Sequence, residues 1–233
     1  MIGFYNYTTL LTYLSLVSAG LGIVISLSGG GHPFIGVFFL LFCGLCDAFD
    51  GKVARMKKDR SEMECSFGVQ IDSLSDLVAF GVLPACIGVA MLRTSTLVAE
   101  SRALLSRTLG TAILTVVPTA LLVLYILAAM IRLAYFNVTE EERQRTEGGA
   151  RRYFTGLPVT SAAIIFPTVL LLQYLIPEDV TPVYFIMIVL TGLAFLAKFK
   201  VKKPGLRGVL ILVGIGAVEF LAMLLLRNCF RIR

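Results

Sequence analysis

Four aspartates offer the clearest chemistry in this sequence. Asp47 and Asp50 stand three residues apart, and Asp72 and Asp76 four apart, so each pair shares one face of a helix. Gly68 lies on the second face one turn earlier, and Gly51 and Ala54 follow the first pair. Carboxylates at membrane depth repel one another and lose solvation, so they usually mark function. Hard oxygen ligands suit Mg²⁺, Mn²⁺ or Ca²⁺. The one histidine, His32, sits in the Gly29-Gly30-Gly31-His32-Pro33 turn at the far end of the preceding apolar run and reads as a turn residue. Cys43 and Cys46 form a C-x-x-C inside that run with no second pair; small apolar side chains at a helix interface explain them better than zinc or redox chemistry.

The small residues beside the acids leave room for a bulky ligand against the backbone. Arg55, Lys57, Lys58 and Arg60 are suited to phosphates. Metal, phosphate and membrane together point to phosphoryl or phosphatidyl transfer. Metals would neutralise a pyrophosphate and its leaving phosphate, and one carboxylate could take the proton of an attacking hydroxyl. The competing explanation, a solvated network of helix-end ion pairs, suits two acids better than four in phase with three small residues.

The elements that carry these residues follow from composition. The chain has 233 residues, 57% hydrophobic and only 15% charged, against about a quarter charged in soluble domains. Seven apolar segments are expected, near 8–28, 33–49, 69–92, 109–131, 157–176, 182–198 and 207–226. In a bilayer they must be helical, because the backbone finds no water there. Pro118 inside the fourth is a candidate kink. No basic cluster precedes the first run, so that run is expected to be retained as a span. No soluble domain is evident, and residues 1–233 read as one transmembrane domain.

The net charge of +6 does not indicate nucleic acid, because the basic residues lie between the spans. Loops 50–66, 132–155 and 198–207 carry five Lys or Arg each, and the opposite loops and tail carry zero, three, zero and three. The first set is therefore expected to be cytoplasmic, with the acidic pairs facing each other there across a helical hairpin. Arg227, Arg231 and Arg233 resist an outside C-terminus, which leaves a re-entrant or interfacial last segment open. Glu219, inside that segment, is expected to make a helix-packing or dimer contact.

At the acidic cluster the sequence resembles the CDP-alcohol phosphotransferase family. Its signature is D-x2-D-G-x2-A-R, x8, G-x3-D-x3-D. Asp47, Asp50, Gly51, Ala54, Arg55, Gly68, Asp72 and Asp76 fill every fixed position. The spacer departs from the pattern, with twelve residues from Met56 to Phe67, which lengthen the loop or add a helical turn. Asn6 and Thr9 are similar to the family's N-terminal Asn/Thr element. Phe67–Ala85, Arg132–Asn137 and Tyr153–Pro158 look most like its phosphatidylserine synthase branch.

The resemblance implies an all-α polytopic membrane bundle, with six core helices plus an extra C-terminal segment, commonly a homodimer. It implies two divalent ions, Mg²⁺ or Mn²⁺ with Ca²⁺ as a substitute, held by Asp47, Asp50, Asp72 and Asp76. Asp50, Gly51, Ala54, Arg55 and Gly68 would line the CDP site, and Asp76 would be the base. The substrates implied are CDP-diacylglycerol and L-serine, with the site facing the cytoplasm; no eukaryotic targeting signal is evident in the sequence, so a prokaryotic plasma membrane is the expected location.

Arg132 is the candidate for the serine carboxylate, with Arg151 and Arg152 behind it, although all three also fit topology or lipid-phosphate roles. Asn137 fits either a substrate contact or a helix end. Glycerol 3-phosphate or an inositol phosphate is the alternative acceptor. A divalent-cation transporter is a poorer fit, since the acids cluster at one membrane face and Arg55 would oppose cation passage.

Overall fold

Glycine and proline punctuation divides the apolar sequence into helices, and the computed structural model describes residues 3–57, 59, 61–104, 109–146, 153–202, 211, 213–219, 221, 222 and 225. Helix α1, Tyr7–Leu27, starts at Asn6, whose side chain accepts from the Thr8 N–H. Gly29 and Gly31 take positive φ in the turn that follows, and Pro33 opens α2, Pro33–Met56. Ser61 caps α3, Glu62–Asp76. A π-helical turn at Leu77–Val82 joins α3 to α4, Leu83–Thr94, as one apolar stretch over Glu62–Thr94. There follow α5, Thr96–Leu104, and α6, Leu109–Thr146, which continues through Pro118. Strand β1, Tyr153–Thr155, and a 3₁₀ turn at Val159–Ser161 lead into α7, Ala162–Leu175. Helix α8, Thr181–Leu196, and strand β2, Lys200–Lys202, complete the labelled elements.

Four helical stretches are long and apolar enough to cross a membrane: Tyr7–Leu27, Pro33–Ala54, Glu62–Thr94 and Leu114–Arg143. Two shorter apolar helices, Val159–Leu175 and Thr181–Leu196, accompany them among the described residues. The result is the expected polytopic helical bundle. Helical residues at 213–219 fall within the expected seventh segment. There Glu219 is buried and hydrogen-bonded to Thr168 of α7, which makes it a packing contact within the chain.

Small residues let the first two helices approach closely. Ser15, Ser18, Ala19, Gly22 and Ser26 are buried along α1, and side chains bond across to backbone: Ser18 Oγ donates to Phe39 O at 3.3 Å and Cys43 Sγ to Ser15 O at 3.3 Å. Small-residue seams of this kind serve membrane helices, whose association gains little from the hydrophobic effect. Cys43 and Cys46 are free and buried, in keeping with the packing role expected for them.

The π turn is anchored by two tyrosines. Pro84 has no N–H to return to the Phe80 carbonyl four residues earlier, and the buried Tyr125 hydroxyl donates to that carbonyl at 2.7 Å. The Tyr184 hydroxyl donates to Pro84 O at 2.7 Å. Phe166 packs on both rings, with centroids 5.7 Å from Tyr125 and 5.1 Å from Tyr184. This cluster joins α6, α7 and α8 to the central helix just beyond Asp76.

Three boundaries differ from the sequence expectation. The dozen-residue hairpin loop shrinks to 57–61, because α2 runs on to Met56 and α3 begins at Glu62; the long spacer is largely helical. The stretch 93–107 contains α5. Helix α6 continues past its apolar part, its exposed end supported by Arg143–Glu140 and Arg145–Glu141 pairs at 2.6 and 2.5 Å. Arg151, Arg152, Arg227, Arg231 and Arg233 lie outside the described residues.

Candidate functional site

Helix periodicity brings the acids together. Asp47 and Asp50 lie in the last turns of α2, and Asp72 and Asp76 in the last turns of α3. One carboxylate oxygen from each of Asp47, Asp50 and Asp72 falls within 4.8 Å of the others. Carboxylates this close at membrane depth are stable only with a proton or a cation between them. Three hard oxygen donors converging on one point fit a divalent cation of the Mg²⁺, Mn²⁺ or Ca²⁺ kind. The Asp50 carboxylate also accepts from the Gly51 N–H, which fixes its rotamer at the helix end.

Asp76 is the last residue of α3, at the entry to the π turn. Such turns widen a helix locally and recur beside functional sites. Asp76 stands outside the three-acid cluster but shares a cavity of about 220 Å³ with Asp47 and Asp72. Arg132 of α6 and the Pro158–Thr160 segment also line that cavity. The acidic pairs thus face a cationic side chain from a helix distant in sequence.

Arg132 is only 6% exposed, and its orientation is set on two sides. Its Nε donates to Leu157 O at 3.1 Å, and its guanidinium lies 5.6 Å from the centroid of the Phe136 ring. Leu157 O is in turn held by the ribbon of β1 and β2, which pairs Phe154 with Val201. The Gly156 N–H donates to Phe199 O at 2.7 Å and the Leu157 N–H to Ala194 O at 3.1 Å. Gly156 takes φ +78°, a conformation that glycine adopts without steric cost.

Other expected residues fall around this centre. Gly51 and Ala54 are partly buried on α2, and Gly68 on α3. Arg55 is on α2, with its side chain outside the described set. Asn137 is on α6, where its amide donates to Ser73 Oγ at 2.7 Å; it joins α6 to the acidic face of α3. Lys57 is paired with Glu64 at 2.7 Å. His32 is at the opposite end of α2 from Asp47 and Asp50, as its turn position predicts.

The sequence singles out Gly156 and Leu157 only as part of the Tyr153–Pro158 resemblance, and it does not single out Glu64. Gly156-Leu157-Pro158 carried a turn signal, but nothing local indicates that the Leu157 carbonyl orients an arginine of another helix. Glu64 stands three residues after Ser61, a capping-box spacing that marks the true start of α3.

A model of the CDP-alcohol phosphatidyltransferase family matches residues 5–197. A CDP-diacylglycerol–serine O-phosphatidyltransferase of Saccharomyces cerevisiae is 31% identical over 167 residues, 69% of this chain and 51% of that protein. An archaetidylserine synthase of Methanothermobacter thermautotrophicus is 34% identical over 155 residues, 66% of this chain and 53% of that protein. A CDP-diacylglycerol–serine O-phosphatidyltransferase of Helicobacter pylori is 26% identical over 200 residues, 84% of this chain and 71% of that protein. The chain spans about half the length of the first two of these relatives. No solved structure matches it.

Proposed function

The chain belongs to the CDP-alcohol phosphatidyltransferase family, and on that premise we propose that it transfers the phosphatidyl group of CDP-diacylglycerol to the hydroxyl of L-serine. The products are phosphatidylserine and CMP. The observation that carries this reading is the single cavity shared by Asp47, Asp72, Asp76 and the buried Arg132. It sets an acidic site suited to a cation-bound pyrophosphate against a guanidinium suited to an amino-acid carboxylate. Serine also stands in the names of the relatives from yeast and Helicobacter pylori.

Asp47, Asp50, Asp72 and Asp76 would hold a pair of divalent ions, Mg²⁺ or Mn²⁺, with Ca²⁺ able to take their place. Such ions, when bound, would neutralise the pyrophosphate and stabilise the leaving CMP. Gly51, Ala54 and Gly68 leave backbone room for the cytidine diphosphate, and Arg55 pairs with its phosphates. Arg132 holds the serine carboxylate, so the hydroxyl points back toward the acids. Arg151 and Arg152 would add positive charge behind it, and Asn137 steadies the site through Ser73.

The reaction is a direct displacement. The serine oxygen forms a bond to the phosphorus bearing diacylglycerol, and the bond from that phosphorus to the CMP oxygen breaks. The hydroxyl proton goes to Asp76. The lipid tails stay in the bilayer, because the acids lie at the ends of membrane helices. The chain acts as one transmembrane domain, with its site facing the cytoplasm of a prokaryotic plasma membrane and with a second copy as partner in a homodimer.

The acceptor is tested by CMP release from purified protein in detergent, with CDP-diacylglycerol, Mn²⁺ and one acceptor at a time. Release with L-serine alone supports the reading. Release only with glycerol 3-phosphate or an inositol phosphate would keep the chemistry and discard serine.

A further inference from the structure

Glu64 lies in the spacer that exceeds the family pattern by one helical turn. It sits in the first turn of α3, where a carboxylate would ordinarily be solvated, yet its side chain is only 7% exposed. Its backbone N–H donates to Ser61 Oγ at 3.1 Å, which starts the helix there. Its carboxylate accepts from Lys57 Nζ at 2.7 Å and from the Asn6 side-chain amide. Asn6 Oδ1 accepts from the Thr8 N–H at 3.1 Å and so caps α1. One buried carboxylate therefore joins the start of α1, the end of α2 and the start of α3. Phe4 packs edge-on against Phe67 at 5.3 Å, and Ser75 Oγ donates to Thr12 O at 3.2 Å, along the same seam.

We infer that Glu64 is a positioning residue that holds the α2–α3 hairpin closed, so that its acids converge on one cation. The inference rests on reading those acids as divalent-ion ligands. The physical need is plain: Asp47 and Asp50 on one helix and Asp72 on the other repel each other when ionised. The short link at 57–61 does not by itself fix the angle between the helices. Glu64 is two turns from Asp72, about 12 Å along the helix, and acts only through the rigid helix between them. It also engages Lys57, which a sequence reading assigns to substrate phosphate.

The test is Mn²⁺ binding to purified full-length protein, followed by electron paramagnetic resonance, beside activity as a function of Mn²⁺. Glu64→Ala is expected to raise the half-saturating Mn²⁺ about tenfold, the scale of one lost hydrogen-bonded charge. Turnover at saturating Mn²⁺ stays within about twofold of the parent. The exchanged pair Lys57→Glu with Glu64→Lys restores the charge pair between α2 and α3 but not the bond from Asn6, and so recovers part of the affinity; it also serves if Glu64→Ala fails to fold. A purely structural role would lower thermal stability and active yield with no change in half-saturation, and that result would overturn the inference. If the parent protein binds no Mn²⁺, the metal reading fails, and this inference with it. If the parent binds and Glu64→Ala binds equally, only the inference fails.

Discussion

Replacing Gly156 by alanine tests how the acceptor side of the site is held. An alanine Cβ at this position would sit 2.9 Å from Ala197 O and 3.1 Å from Phe195 O. Both contacts are with backbone, which cannot swing aside as a side chain would. The φ of +78° adds about 1–2 kcal/mol for any residue with a Cβ. The segment is therefore expected to shift by a few tenths of an ångström, carrying Leu157 O away from Arg132 Nε, where the bond is now 3.1 Å. A hydrogen bond from a charged donor contributes about 1.5–3 kcal/mol. Losing half of it, about 0.75–1.5 kcal/mol, costs roughly four- to twelvefold in the affinity that Arg132 supplies. The assay is CMP release with serine varied at saturating CDP-diacylglycerol, then the reverse. Gly156→Ala should raise KM for serine roughly four- to twelvefold and leave KM for the lipid within about twofold. Equal serine kinetics in the variant and the parent would refute the argument that this turn orients Arg132.

Other outcomes follow from named contacts. Tyr125→Phe removes the donor to the Phe80 carbonyl at the π turn and should cost about 1 kcal/mol, read as a lower melting temperature in detergent. Asp72→Asn leaves the fold intact and takes one charged ligand from the three-acid cluster; Mn²⁺ affinity should fall at least about tenfold, and undiminished binding would count against the cluster. Burial pushes the Asp179 carboxyl up, but hydrogen bonds from Ser95, from Thr181 and from the Leu97 N–H outweigh it and hold the group below the ordinary carboxylate range. A lowered folded value stabilises the protein at neutral pH, and that contribution is lost as pH falls through the lowered value. Asp179→Asn should therefore melt below the parent at pH 7, with the gap closing only below about pH 4. A gap that persists unchanged in acid would contradict this.

Apolar runs located the membrane helices well because in a bilayer length and hydropathy decide the element. The acidic site was legible because the three- and four-residue spacings translate directly into shared helix faces. The helix ends were less legible. Past Phe49 the charged residues Asp50, Lys52 and Arg55 interrupt the apolar run, yet α2 continues to Met56; α3 starts at Glu62 because of the Ser61 cap and the buried Glu64 rather than hydropathy. The end of α6 was signalled by the i,i+3 and i,i+4 spacing of Glu140–Arg143 and Glu141–Arg145. The π turn has only Pro84 as a local hint, and its partner Tyr125 comes from another helix. The pairing of Arg132 with Leu157 is likewise tertiary, so sequence could nominate Arg132 without showing what aims it.

The most direct test of the central claim follows both products. Purified protein in detergent is given CDP-diacylglycerol and L-serine with Mn²⁺, and phosphatidylserine and CMP are quantified together, beside Asp76→Asn and a chelator control. The account predicts equal amounts of both products from the parent protein and a loss of both, by at least about a hundredfold, without Asp76 or without the metal. CMP formed without phosphatidylserine, or full activity in Asp76→Asn, would contradict it.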